Sequence, residues 1–376
     1  MALYKTLVKK VSISPEKKTK QKDYLPKGQL PIIDQGQQLI GGYLDNPDLQ
    51  LSCNLPVIVF GDHTRAVKYV DFPFGAGADG IKVLEPADGI YPKFLYYATQ
   101  YLVLRLEDRG YARHYQYIEK KELDIPSIPE QKRIVARIEQ LFSELDNGVE
   151  TLLKTKQQLA VYRQAVLKEA FDRVIPDSSM QTIKAVCNDI KVGIVIKPAQ
   201  YYTDESNGVK AFRSANVREF RINDAEWVYL TKEGHEYNLR SEIHTGDVLI
   251  VRSGYPGTAC VVTDDYNNCN AIDILIAVPN TDIVTPEYLC AFTNSPYGRK
   301  LVAEKKRGVA QAHLNVGGYS KMEIPVPEIS VQKQVVLSIA QRLSVYDSIS
   351  KTIDTALQQA EAMRQSILKQ AFEGKI

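Results

Sequence analysis

One segment of this 376-residue chain occurs twice, and the repetition decides how everything else can be arranged. The first copy runs from about Glu130 to Ile175, the second from about Val331 to Ile376. An offset of 201 residues superimposes them without a gap, since Gln131-Lys132 falls on Gln332-Lys333 and Asp146 on Asp347. Gln157-Gln158 likewise falls on Gln358-Gln359, Arg163-Gln164 on Arg364-Gln365, and Ala170-Phe171 on Ala371-Phe372. The same signal introduces each copy, Leu123-Asp124-Ile125-Pro126 or Met322-Glu323-Ile324-Pro325. A repeat of this length makes the chain two similar halves in tandem, each a globular part followed by a long helix.

Both copies carry an apolar stripe that steps alternately by three and four residues, the mark of a heptad seam. In the first it is Ile138, Leu141, Leu145, Gly148, Leu152, Thr155, Leu159, Tyr162 and Val166. In the second it is Ile339, Arg342, Tyr346, Ile349, Ile353, Ala356, Ala360, Met363 and Ile367. Helices of globular proteins average about 10–14 residues, so seams of this length are expected to pack on each other rather than on either globular half. Gly148, Thr155 and Arg342 read as flaws in that seam; the glycine alone costs about 1 kcal/mol relative to alanine.

The globular parts share a plan. Leu7 to Ile13 reads as a strand, followed by a basic, loop-like run from Lys17 to Lys27. Leu55 to Phe60 is an apolar strand turned by Gly61-Asp62-His63-Thr64 onto a partner at Ala66 to Val70. Asp247 to Val251 is its counterpart, turned by Ser253-Gly254-Tyr255-Pro256-Gly257 onto Ala259 to Val262. Tyr91-Pro92 and Thr285-Pro286 each open a helix, proline suiting the first turn. The expected domains are 1–122 and 177–321, with helical segments 123–176 and 322–376.

Several kinds of chemistry drop out. Forty-seven Lys/Arg against 45 Asp/Glu leave the chain near neutral, so nucleic-acid binding has to rest on local patches. No apolar run reaches membrane-span length, and no basic-then-apolar signal segment follows Met1. Five cysteines (Cys53, Cys187, Cys260, Cys269, Cys290) form no CxxC pair, which predicts a reduced, cytoplasmic protein. Gly75-Ala76-Gly77-Ala78-Asp79-Gly80 has dinucleotide-loop spacing, but Ile81-Lys82-Val83-Leu84 and Pro86 follow where the pyrophosphate would need a helix N-terminus. Asn294-Ser295-Pro296-Tyr297 resembles the Asn-Pro-Pro-Tyr tetrapeptide of adenine methyltransferases, yet lacks its first proline and a glycine-rich cofactor loop; a helix end is the simpler reading. The histidines show no metal-ligand spacing and no serine sits in a GxSxG elbow. The expectation is a protein without a catalytic centre, cofactor or metal.

What remains are polar, aromatic and basic loops at matching places in the two halves. The first half offers Gln35, His63, Arg65, Lys68, Arg109, Arg113 and His114. The second offers Lys197, Arg213, Asn216, Arg252, Tyr255, Arg307, Gln311, His313 and Asn315. Arginine, glutamine, asparagine and histidine read base edges, while lysine and backbone N–H groups near glycine position phosphates. Recurrence at equivalent points makes these sixteen the candidate DNA contacts.

The tandem order and its motifs resemble the specificity subunit of type I restriction–modification systems. The residues that carry the resemblance are Ile125 to Ile134, Arg163-Gln164 to Phe171, Ile324 to Pro327, Gln332-Lys333, Arg364-Gln365 to Phe372, and the glycine-led Gly308 to Asn315. Three features depart from the family pattern: Ser330-Val331 precedes Gln332 where an acid usually stands, the Pro-to-Gln spacing of that second approach is two residues longer, and the first half has Gly110-Tyr111-Ala112-Arg113 in place of Gly-Val-Ala-Gln. The resemblance implies an α+β fold, with two tandem mixed α/β target-recognition domains separated by two long helices packed as an antiparallel coiled coil. It implies a non-catalytic reader of double-stranded DNA, one domain per half of a bipartite site, with the helices docking two methyltransferase subunits. S-adenosylmethionine would belong to those subunits, and restriction and translocase subunits would complete the assembly. The competing readings are a coiled-coil scaffold whose globular halves bind protein, and a free-standing methyltransferase.

Overall fold

The computed structural model describes residues 1–78, 80–107, 110, 112–305 and 313–376. Each copy of the repeat is one helix, Ile128–Asp172 of 45 residues and Ile329–Phe372 of 44. The chain divides into two compact units, Met1–Leu153 with Asp354–Ile376, and Lys154–Ile353. Each long helix therefore begins in one unit and ends in the other.

In the first unit an antiparallel sheet has the order Val8–Val11, Ile81–Pro86, Val57–Gly61, Val67–Val70. In the second unit the order is Cys187–Val192, Ile274–Pro279, Val248–Val251, Ala259–Val261, the same sheet drawn from equivalent segments. Each unit adds a second sheet. In the first, Leu30–Ile33 runs parallel to Gly75–Gly77 and antiparallel to Gly42–Leu44. In the second, Val209–Phe212 runs parallel to Cys269–Ala271 and antiparallel to Val228–Leu230. Sequence reading missed these second sheets. Their strands are two to four residues long and broken by turns, so no alternation builds up to signal them.

The core of the first unit joins Ile58, Phe60 and Leu84 of the first sheet to Phe94, Leu95 and Leu102 of the helix Pro92–Leu104. Val135, Ile138 and Phe142 of the first long helix close it from one side, and Ile367, Leu368 and Ala371 of the second long helix from the other. The second unit repeats this with Val248, Ile250 and Leu275, the helix Pro286–Asn294, then Ile339 and Leu343, and finally Val166, Leu167 and Phe171. By the 201-residue offset, Ile138 matches Ile339 and Phe171 matches Phe372. Each of these two cores thus takes the start of its own helix and the end of the other.

The glutamine of each Gln-Lys doublet explains why that doublet recurs. Gln131 is fully buried; its Oε1 accepts from the Tyr91 amide at 2.7 Å while its Nε2 donates to the carbonyls of Gly89 (3.1 Å) and Pro126 (2.9 Å). Gln332 makes the same three bonds, to the Thr285 amide at 2.9 Å and to the carbonyls of Ile283 (2.8 Å) and Pro327 (2.9 Å). One side chain ties the loop before the domain helix and the Ile-Pro approach to the first turn of the long helix.

The two long helices meet antiparallel in each unit. In the first, Arg133 donates to the Ile376 carbonyl at 3.2 Å, and further along Arg364 pairs with Asp146 and lies 4.4 Å over the Phe142 ring. In the second, Arg163 lies 5.4 Å over Tyr346, and beyond it Arg342 pairs with Glu169 at 2.8 Å and covers Tyr162. Arg342 is accordingly a clasp between helices and not a flaw in the seam. The seam itself is uneven. Ile138, Val166, Ile339, Ile353, Ala360 and Ile367 are buried, but Ile349 and Met363 are 41% and 54% exposed, against the expectation that both face the partner helix. Arginine–aromatic contacts do part of the work that a pure apolar seam would do.

Gly148 is exposed, and a Cβ built on it meets nothing within 4 Å. No close approach requires a glycine there, so Gly148→Ala is expected to stabilise the protein by about 1 kcal/mol through helix propensity alone. Chemical denaturation checks this; a loss of stability would mean that the position is held for contact with something outside this chain.

Candidate nucleic-acid interface

In the first unit the sequence-selected loops converge on one end of the sheets. The Asp62 amide donates to the Gly80 carbonyl at 2.6 Å, and the His114 amide to the Asp62 carbonyl at 2.8 Å. The Asp62 carboxylate is buried, accepts from the Tyr115 amide at 2.9 Å and faces Lys82 at 3.7 Å. Thr64 donates through its hydroxyl to the Gln35 carbonyl. Gly80 sits at φ +81°, where an L side chain is strained, and a Cβ there would lie 2.6 Å from Gln35 Oε1 and 3.0 Å from the His63 ring. Four short stretches therefore share one surface: Asp34–Gln38, Asp62–Arg65, Gly80, and the run from Ala112 to Tyr115.

The second unit builds the same end from other side chains. The Leu314 amide donates to the Arg252 carbonyl at 3.1 Å, as His114 does to Asp62. Asp273 precedes its strand at φ +49°, the left-handed conformation that Gly80 adopts at the equivalent place. The Arg252 guanidinium pairs with Asp273 at 2.6 Å and donates to the Leu314 carbonyl at 3.1 Å. Ser253 and His313 join side chain to side chain beside it, and Tyr255 stands 85% exposed on the same turn.

The sixteen candidates separate by what their side chains already do. Lys68 is buried, bonds the Asp34 carbonyl at 2.8 Å, and has its amine pulled below the usual lysine range by desolvation; it braces the first loop rather than meeting a phosphate. His114 is buried, its Nε2 3.2 Å from the Gly110 carbonyl. Asn216 is fully buried and closes its own turn, accepting from the Arg213 amide and donating to the carbonyls of Asn223 and Ala225. Arg213 donates to the Glu226 carbonyl at 2.7 Å. Asn315 caps the helix Val316–Ser320 through the Gly318 amide. Arg252 is the buttress just described. Gln35, His63 and Arg65 are half-buried at the loop cluster, while Arg113, Lys197, Tyr255 and His313 are exposed. Arg109, Arg307 and Gln311 lie outside the described residues. Sequence reasoning missed the roles of Asp62 and Asp273, whose carboxylates organise these ends; for Asp273, an acid standing where the other half has Gly80 was the available signal.

The two motifs that bear a likeness to methyltransferase and dinucleotide sites have structural roles. Asn294 is fully buried and spends its amide on the Ala259 amide and carbonyl and the Cys290 carbonyl, which leaves nothing for a target amine. Gly75–Gly77 is a strand and Gly80 leads into the strand Ile81–Pro86, where the dinucleotide fingerprint has a helix. All five cysteines are free, and burial pushes the Cys187 and Cys260 thiols up to about 12. No group of three or more His, Cys, Asp or Glu side chains is placed to hold a metal, again among the described residues.

Comparison with known proteins agrees with this geometry. The model of the type I restriction modification DNA specificity domain matches residues 10–155. The specificity subunit of the type I restriction enzyme EcoR124I/EcoR124II of Escherichia coli is 24% identical over 366 residues, 92% of this chain and 86% of the relative. A chain from a solved structure of a type I R-M system superimposes with a TM-score of 0.70 over 92% of both chains, at 16% identity. In sequence and in fold the chain is similar to the type I restriction–modification specificity subunits. The EcoBI specificity subunit of Escherichia coli is likewise 24% identical over 275 residues, 68% of this chain, and the match spans 58% of that relative's length. The HsdS subunit from Thermoanaerobacter tengcongensis shares the fold at a TM-score of 0.51 and 18% identity, over 85% of this chain and 81% of that one.

Within a specificity-subunit fold, Arg252 invites a direct test. Arg252→Ala removes a charge-assisted bond and a carbonyl's donor, and is expected to cost about 1–3 kcal/mol of stability. Thermal unfolding checks it. Unchanged stability with altered selectivity for a single base pair would return Arg252 to the base contacts.

Proposed function

We propose that this chain is the non-catalytic DNA-recognition subunit of a type I restriction–modification complex. Each domain reads one half of a bipartite duplex site with the loop end described above. The paired helices dock methyltransferase subunits, which bring S-adenosylmethionine, and restriction and translocase subunits join the same assembly in the cytoplasm. One observation carries this reading: two domains of one topology present equivalent ends whose side chains differ, Asp62 with Gly80 in the first and Arg252 with Asp273 in the second. One scaffold offering two chemistries is what recognition of two unlike half-sites requires. A protein-binding scaffold gains no comparable support. No helix among the described residues is long and apolar enough to cross a membrane, in keeping with an assembly that acts on DNA.

Mapping methylated adenines in cells that express the chain with its methyltransferase partner tests the proposal. The expected result is a two-part motif with an unspecified spacer, and loss of only one part when loop residues of one domain are replaced. Absence of salt-sensitive duplex binding even with the partner present would favour the scaffold.

A further inference from the structure

The strands Val8–Val11 and Cys187–Val192 occupy the same place in their sheets, and each leads through a turn into a proline-led helical turn and a two-residue strand. The connecting turns differ. The first is Ile13-Ser14-Pro15. The second is Ile194-Val195-Ile196-Lys197-Pro198, longer by two residues and apolar. Ile13 and Ile194 both tuck into cores, but Val195 is 53% exposed and Ile196 is 80% exposed.

The root of this tip is firmly held. The Gly193 amide donates to the Ile274 carbonyl at 2.9 Å, the Ile194 amide to the Ala271 carbonyl at 2.8 Å, and the Asp273 amide to the Ile194 carbonyl at 3.0 Å. Lys197 closes the tip in the left-handed region, at φ +44°. Asp273 is also the acid that holds Arg252, so the tip rises from the interface end that carries Tyr255. Lys197 is the exposed cation of the tip, and no acid stands between Ile194 and Thr203, which suits the tip to a phosphate.

We propose that Ile196 contacts the 5-methyl group of a thymine in the half-site read by the second domain, with Lys197 placed toward a neighbouring phosphate. The proposal rests on the DNA-recognition reading above. An alkyl side chain offers no hydrogen bond, and the thymine methyl is the apolar feature that base edges present in the major groove. The first domain, with Ser14 at the corresponding turn, makes no such contact.

The test uses the chain assembled with its methyltransferase partner and duplexes carrying the mapped site. Each thymine of the second half-site is replaced in turn by deoxyuridine, which removes the methyl and keeps every hydrogen-bonding group. One position is expected to weaken binding about fourfold, the worth of one buried methyl-sized group. Ile196→Ala should bind the thymine duplex about fourfold more weakly and no longer distinguish deoxyuridine, with an unchanged unfolding temperature because the side chain is solvent-exposed. No sensitive position, or sensitivity that survives Ile196→Ala, overturns the proposal. So does an Ile196→Ala chain that no longer assembles with its partner, which marks Ile196 as a protein contact. A complex that selects its sequence but ignores the methyl removes this contact alone; one with no sequence preference removes the recognition reading as well.

Discussion

Replacing Phe171 by alanine is expected to cost the second unit about 3–5 kcal/mol, the range for emptying a buried aromatic site. Phe171 is fully buried at the far end of a helix that begins in the other unit. Its ring lies 5.3 Å from Tyr288 and 5.4 Å from Phe292, tilted against one and edge-on to the other, so truncation removes packing as well as transfer energy. Phe372 is its counterpart, 5.2 Å from Phe94 and stacked on Tyr101 at 5.3 Å, but only partly buried, so Phe372→Ala should cost less. The chain has a single tryptophan, Trp227, whose ring lies 4.8 Å from Phe212 in the second unit. Denaturant unfolding followed by tryptophan fluorescence therefore reports that unit. Phe171→Ala should move the fluorescence transition strongly and Phe372→Ala weakly. Equal shifts from both variants would contradict the assignment of each helix end to its own core.

How much of this was legible in the sequence depends on how local the cause is. The repeat, the apolar strands at Val57–Gly61 and Val248–Val251, and the proline-opened helices were readable because periodicity and turn residues act within a few positions. The short second sheets were not, because parallel pairing of Leu30–Ile33 with Gly75–Gly77 joins segments some forty residues apart that show no pattern of their own. The candidate site was legible as a set of loops and not as a set of roles. Residue type alone cannot tell Lys68 on the Asp34 carbonyl from a lysine on a phosphate, or Arg252 on Asp273 from an arginine on guanine. The partners that fix those roles come from distant segments, and the exposed Ile196 carries no motif at all.

The glutamines carry the second large prediction. Gln131→Met and Gln332→Met keep the volume but leave one amide and two carbonyls without the partners they now have. At about 1–3 kcal/mol for each buried group left unsatisfied, either variant should lose about 3 kcal/mol or more. Gln131→Glu separates hydrogen bonding from shape. A glutamate there can still accept from Tyr91, but its ionised form turns an oxygen toward the Gly89 and Pro126 carbonyls, whereas its protonated form can donate to one of them. Burial and these carbonyls raise the folded-state pKa of the introduced acid above its unfolded value. Such a group contributes its stability below the unfolded pKa and loses it as pH rises through the folded one. Measured against wild type at each pH, Gln131→Glu should thus be mildly destabilised near pH 4 and severely so by pH 8, while Gln131→Met stays level. On the recognition reading proposed above, the same variant should also weaken binding to the half-site of the first domain. A flat pH profile for Gln131→Glu would mean that the site opens to water when the amide is lost, and that the doublet recurs for a reason other than these three bonds.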